Sequence, residues 1–112
     1  MVIGSGLIEL WIAECRSLKE KRGVLKRILQ RTRNTFNVSI AEIGDNDSWK
    51  RAKVGFCVVG NDTRYVNGKV DCILSFIEEL QLAEVLGSKI EIVSLSDAMP
   101  HFDESAGKYG SE

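Results

Sequence analysis

Seven basic residues crowd one short stretch of this chain. Lys19, Lys21, Arg22, Lys26, Arg27, Arg31 and Arg33 lie between Ser17 and Phe36, with Glu20 as the single acid. The stretch carries +6 in a 112-residue chain of formal net charge −1, so the remainder carries −7. Arg16 adds another cation just ahead of it. A domain that gathers its positive charge on one element has a polar field, which steers anions to one face. The chemistry open to these side chains is neutralisation. Lys and Arg on phosphates release counterions, giving binding that depends strongly on salt and little on sequence. The plainer alternative is a solvated helix face whose aliphatic stems cover the edge of the core.

A second basic cluster, Trp49 to Lys53 (WKRAK), adds Lys50 and Arg51 as outlying candidates for phosphate contact. Trp49 stacking on a base is one reading. Trp49 packing at a hairpin end, its indole N–H on a backbone carbonyl, is the favoured one.

Other chemistries find little support. The three cysteines, Cys15, Cys57 and Cys72, are odd in number and lack CxxC spacing, so neither a disulfide framework nor a zinc site is expected. Cys57 and Cys72 sit in apolar runs and are expected to be buried, and Cys15, at a strand end, to be exposed. His101, with Asp103 and Glu104 nearby, falls in a polar segment without further ligands. Asp45 and Asp47 are explained by turn chemistry, since the Gly and distal Glu of a calcium loop are missing. There is no P-loop and no nucleophile–base set. The expectation is a non-enzymatic protein with no cofactor and no metal.

The elements that must position the cations follow from periodicity. Residues 2 to 13 alternate as a strand, with Gly4 and Gly6 marking a bulge or a close backbone approach. Ser17 opens a helix. In SLKE (17–20) the hydroxyl can accept from the N–H of Glu20, and the carboxylate can reach back to the N–H of Ser17. Leu18, Leu25, Leu29, Thr32 and Phe36 form its apolar stripe, with Ile28 on the edge. On that wheel Lys19, Arg22, Lys26 and Arg33 make one stripe beside the apolar face. Arg16, Arg27 and Arg31 lie outward, and Lys21 falls on the opposite flank. Residues 38 to 43 and 50 to 60 read as an antiparallel hairpin around the turn cluster GDNDS (44–48). NDT (61–63) offers N-caps for a second helix, expected to end near Leu86 and Gly87, with Val66, Val70, Ile73, Leu74, Ile77 and Leu80 as its stripe. Residues 88 to 95 form a fourth strand. From Asp97 onward the chain reads as a flexible tail.

The order strand, helix, strand, strand, helix, strand is the split βαβ arrangement. It predicts an α+β, ferredoxin-like domain over residues 1–97, with a tail over 98–112. Its four-stranded antiparallel sheet has both helices on one face. The other face would show Leu7, Trp11, Cys57 and Val59, joined by Ala41, Ile43, Val93 and Leu95. That is too apolar for open water. A homo-oligomer through this face, with Leu7, Trp11 and Val59 as contacts and Trp11 as anchor, is the favoured reading. Reading of a single strand by sheet aromatics carries less weight, because parity points Phe56 toward the helices.

Hydrophobic residues make up 44% of the chain, enough for one folded domain. The acidic overall balance confines any nucleic-acid binding to the local patch. The N-terminus lacks the basic region of a signal peptide and no apolar run reaches a membrane span, so a cytoplasmic location is expected.

The strings RSLKEKR (16–22), FNVSIAE (36–42) and WKRA (49–52) resemble the YlxP-like family of small bacterial proteins. The resemblance covers roughly residues 1 to 95. It implies a ferredoxin-like fold. The family's genes tend to lie beside those for translation initiation and ribosome maturation, which implies RNA or a ribosomal subunit as partner. No catalytic residues come with it. The start at Gly4 to Gly6 and the tail depart from the family pattern.

Overall fold

The structure, a computed structural model, describes residues 1–96. Its elements are β1 (Val2–Trp11), α1 (Leu18–Thr35), β2 (Ser39–Gly44), β3 (Arg51–Gly60), α2 (Thr63–Glu79) and β4 (Glu84–Ser94). All pairings are antiparallel and the strand order is β2-β3-β1-β4. This is the ferredoxin-like α+β fold. The expected tail, with His101, lies outside the described residues.

Strict alternation in β1 and β3 sends alternate side chains into the core. Ile8, Leu10, Ala52, Val54, Phe56 and Val58 are buried on the helix side. Val66, Val70, Ile73 and Ile77 of α2 close over them. The two early glycines serve close approach. A Cβ on Gly4 would stand 2.6 Å from Val66, and one on Gly6 would stand 2.4 Å from the Phe56 ring. The register shift in β1 lies elsewhere, between Glu9 and Leu10.

The second helix is shorter than the periodicity implied. It ends at Glu79, Gln81 turns the chain at φ 55°, and the next residues join the sheet. Leu10 and Trp11 pair with Val85 and Glu84, so β1 claims the residues that looked like a last helical turn. Gly87 therefore sits in β4 opposite Glu9 and not behind a helix end. The cysteine expectations are reversed. Cys15 is buried at 2% exposure, tucked against the core after β1, while Cys57 and Cys72 face outward on the open sheet side and on α2. Among the described residues no helix is long and apolar enough to cross a membrane.

Candidate nucleic-acid interface

α1 is built to hold one face in and one face out. Ser17 Oγ accepts from the Glu20 N–H at 3.2 Å, as its capping pattern requires. Glu20 reaches one residue farther back than expected and accepts from the Arg16 N–H at 2.8 Å. Leu25, Ile28 and Thr32 are fully buried, with Leu29 and Phe36 packed against them. The buried stripe thus centres nearer Ile28 than sequence alone implied, because α1 leans on both β2 and α2.

Lys21 shares that stripe. It is 1% exposed, donates from Nζ to the Asp45 carbonyl at 2.6 Å and stands 3.4 Å from Glu42 Oε2. Asp45 takes φ 60° at the β2–β3 turn. Lys21 therefore clamps α1 to that hairpin, and its charge is spent internally. The signal was present in the wheel: positions 21, 25, 28 and 32 share one face at helical spacing.

The remaining cations face outward. Lys19, Arg22, Lys26, Arg27 and Arg31 are exposed, as is Arg16 ahead of the helix. None of the six has an acid within ion-pair distance among the described residues. Lys19–Arg22, Arg22–Lys26 and Arg27–Arg31 are like-charge neighbours at three- or four-residue spacing, each mildly destabilising to the helix. Lys19 and Arg22 also lie near the N-terminus, where the helix dipole disfavours cations. Arg33 belongs to the same face but donates from Nη2 to the Ile40 carbonyl at 2.7 Å, which ties the helix end to β2.

The outliers do not join this patch. Arg51 pairs with Trp11 across the open side of the sheet, opposite the helices, and its guanidinium lies 5.7 Å from the Trp11 ring centre. Lys50 donates to the Ala13 carbonyl at 2.7 Å and stands 5.8 Å from the same ring. Both brace Trp11. Trp49 is 52% exposed at the hairpin end, so it does not pack away as expected.

The open sheet face brings together the three residues expected for self-association, in register rows. Val59, Ile3 and Val93 make one row, Gly55, Leu7 and Lys89 another, and Arg51, Trp11 and Glu84 the last. Val59 is well exposed, with Leu7 and Trp11 half buried. Between the lower rows Lys53 and Glu9 pair at 3.9 Å. Ile43 folds over Gly55 beside a shallow depression of about 380 Å³ that also touches Ser5, Leu7, Lys89 and Glu91.

Burial pushes the Cys15 thiol above its ordinary value; nearby Glu20 adds to this, and Lys50 and Lys21 oppose it. The shift disfavours the thiolate, the reactive form. Among the described residues no group of three or more His, Cys, Asp or Glu is placed to hold a metal ion.

The model of a family described as "Protein of unknown function (DUF503)" matches residues 3–90. The chain belongs to the DUF503 family. A relative from Bacillus subtilis (strain 168), "Uncharacterized protein YlxP", is 44% identical over 77 residues, covering 69% of this chain and 84% of that protein. Among solved structures, "De novo designed protein Foldit4" aligns over 86% of this chain and 100% of its own at a TM-score of 0.50 and 16% identity. That likeness concerns the fold alone. In this chain the described residues concentrate their charge on one feature, the exposed basic face of α1.

Proposed function

We propose that this protein is a non-enzymatic, cytoplasmic binding protein that docks on structured RNA, in the ribosome or a precursor of it, through α1. The observation that carries the reading is the row of exposed, mutually repelling cations without acidic partners. Phosphates are the groups that relieve such repulsion. Arg16, Lys19, Arg22, Lys26, Arg27 and Arg31 are free to make the contacts, and Arg33 can share one face of its guanidinium. Lys50 and Arg51 stand apart and act on Trp11. The preference for RNA over DNA rests on the family's gene neighbourhood, since phosphate chemistry is common to both.

The test is co-sedimentation with ribosomal subunits at low and moderate salt, with and without RNase, for wild type and for Lys19→Glu/Arg22→Glu/Lys26→Glu. The wild type should comigrate with one subunit in a salt-sensitive manner. The triple variant should bind more weakly, with its salt slope reduced by roughly 2 to 3. Equal binding by the triple variant sinks the reading.

A second reading is a homodimeric interaction module without nucleic-acid function. It is favoured by Ile43, Val59, Val93 and Leu95, each more than half exposed, on or beside the open sheet face. Capture of a partner that survives RNase, with no salt-sensitive binding to ribosomal subunits, would favour it over the first.

A further inference from the structure

The two edges of the sheet are not alike. β2 is six residues long and its pairing with β3 shifts register between Glu42 and Gly44, which blunts that edge. β4 is eleven residues long, and its irregularity is confined to the end opposite Glu9 and Leu10. Residues 88 to 94 run straight along the outer edge of the sheet.

Which of their backbone groups face outward follows from one pair. Leu95 and Met1 exchange two backbone hydrogen bonds, of 2.7 and 3.0 Å. Antiparallel pairs alternate between bonded and unbonded. Val93, Glu91 and Lys89 are therefore the bonded partners of β1. Ser88, Ile90, Ile92 and Ser94 turn their N–H and C=O groups toward the free edge. Ile90 and Ile92 also lie on the helix side of the sheet yet stay only half buried, unlike the equivalent positions of β1 and β3.

We propose that this edge pairs with β4 of a second copy, antiparallel and centred on Ile90. In that register Ile90 faces its own copy as a hydrogen-bonded pair, and Ser88 faces Ile92 on either side. The outward donors and acceptors of Ser88, Ile90 and Ile92 are then satisfied. The same register sets Lys89 opposite Glu91 and Glu91 opposite Lys89. Both pairs fall at unbonded positions, where facing side chains come closest. Read against itself in reverse, Ser88 to Ile92 matches hydrogen-bond parity and charge together. The two sheets become one of eight strands with all four helices on one side, so both α1 cation faces point the same way. The contact leaves Leu7, Trp11 and Val59 uncovered and is independent of the RNA reading. One strand of contact is small for an interface, so the dimer is concentration-dependent.

The test exchanges charges in the full chain. Sedimentation velocity should show wild type moving from monomer to dimer as concentration rises. Lys89→Glu alone sets acids against acids and Glu91→Lys alone sets bases against bases. Each should weaken the dimer by roughly tenfold to a hundredfold with its thermal unfolding midpoint kept near wild type. Mixing the two single variants should restore dimers, because both pairs become complementary again, and the double variant should behave as wild type. Dimers unchanged in both single variants would overturn the proposal. A mixture that stays monomeric overturns it too. So does wild type that is monomeric at roughly 1 mM, which leaves the edge to an extended segment of another protein.

Discussion

α1 and α2 are nearly equal in length, 18 and 17 residues, and lie on the same face of one sheet. Each buries four residues, but α1 buries Lys21 and Thr32 beside Leu25 and Ile28, where α2 buries Val66, Val70, Ile73 and Ile77. Their outer faces have little in common. α2 mixes Arg64 and Lys69 with Asp71, Glu78 and Glu79, and Lys69 stands 5.7 Å from the Phe36 and Tyr65 ring centres. α1 exposes six cations without an acidic partner, Arg33 among them held on the Ile40 carbonyl. Apart from Lys21 and Arg33, which tie α1 to β2 and its turn, the charge of α1 is surplus to folding. It even opposes folding slightly, through like-charge spacing.

The sharpest way to break this comparison is to move charge on each helix in turn. Reversing Lys19, Arg22 and Lys26 should weaken RNA binding by roughly a hundredfold at low salt, while Arg64→Glu/Lys69→Glu on α2 should change it less than about threefold. Filter binding to ribosomal RNA at several salt concentrations reads both. Equal losses from the two helices would mean that net charge, and not the α1 face, governs binding.

Within α1, neighbouring lysines should separate by stability. Lys21→Ala leaves the Glu42 carboxylate and the Asp45 carbonyl without their partner, and should cost about 2 kcal/mol, below the fully buried case because Glu42 is partly solvated. Lys26→Ala should be neutral within about 0.5 kcal/mol. Urea unfolding measures both. A Lys21→Ala loss as small as that of Lys26→Ala would remove the clamp from the account.

Cysteines extend the contrast beyond charge. Cys72 on α2 and Cys57 on β3 are exposed and should react promptly with an aromatic disulfide reagent, while Cys15 ahead of α1 should react only on unfolding. Its folded thiol pKa lies above the ordinary 9.0. Folding is thus favoured fully below the unfolded thiol pKa, and that part of the stability is lost as pH rises through the alkaline range. Cys15→Ser should flatten the alkaline fall in stability, whereas Cys72→Ser should leave it unchanged.

Much of this was legible from residue order. Alternation in β1 and β3, the capping residues Ser17 and Asp62 and the turn at 44–48 carry the topology without long-range information. What failed was long-range by nature. The end of α2 is decided by β1, which recruits Val85 as a strand partner although its local pattern extends a helix. The burial of Cys15, and the exposure of Cys57 and Cys72, depend on which face a neighbouring element covers. Lys21 is the instructive case for the site: counted as one cation among seven, it is consumed by Glu42, a residue whose strand position alone places it under α1. Local charge density located the patch, but only packing separated the lysine that folds the protein from those left free to bind.

The smallest effect bears on whether surplus charge is the only cost α1 carries. Gly23 and Gly68 sit inside the two helices, and a Cβ at either would meet nothing within 4 Å. Alanine at each should stabilise by about 0.5 to 1 kcal/mol, from helix propensity alone. The two substitutions are matched in geometry but not in surroundings, because Gly23 lies among Lys19, Arg22, Lys26 and Arg27. If the basic face needs only its charge, Gly23→Ala should stabilise α1 as much as Gly68→Ala stabilises α2, and RNA affinity should hold within about twofold. If phosphate must approach the helix backbone at Gly23, the added methyl group would weaken binding with the stability gain intact. Paired urea titrations and filter binding on the two variants distinguish these outcomes, and only the first leaves charge as the whole difference between the helices.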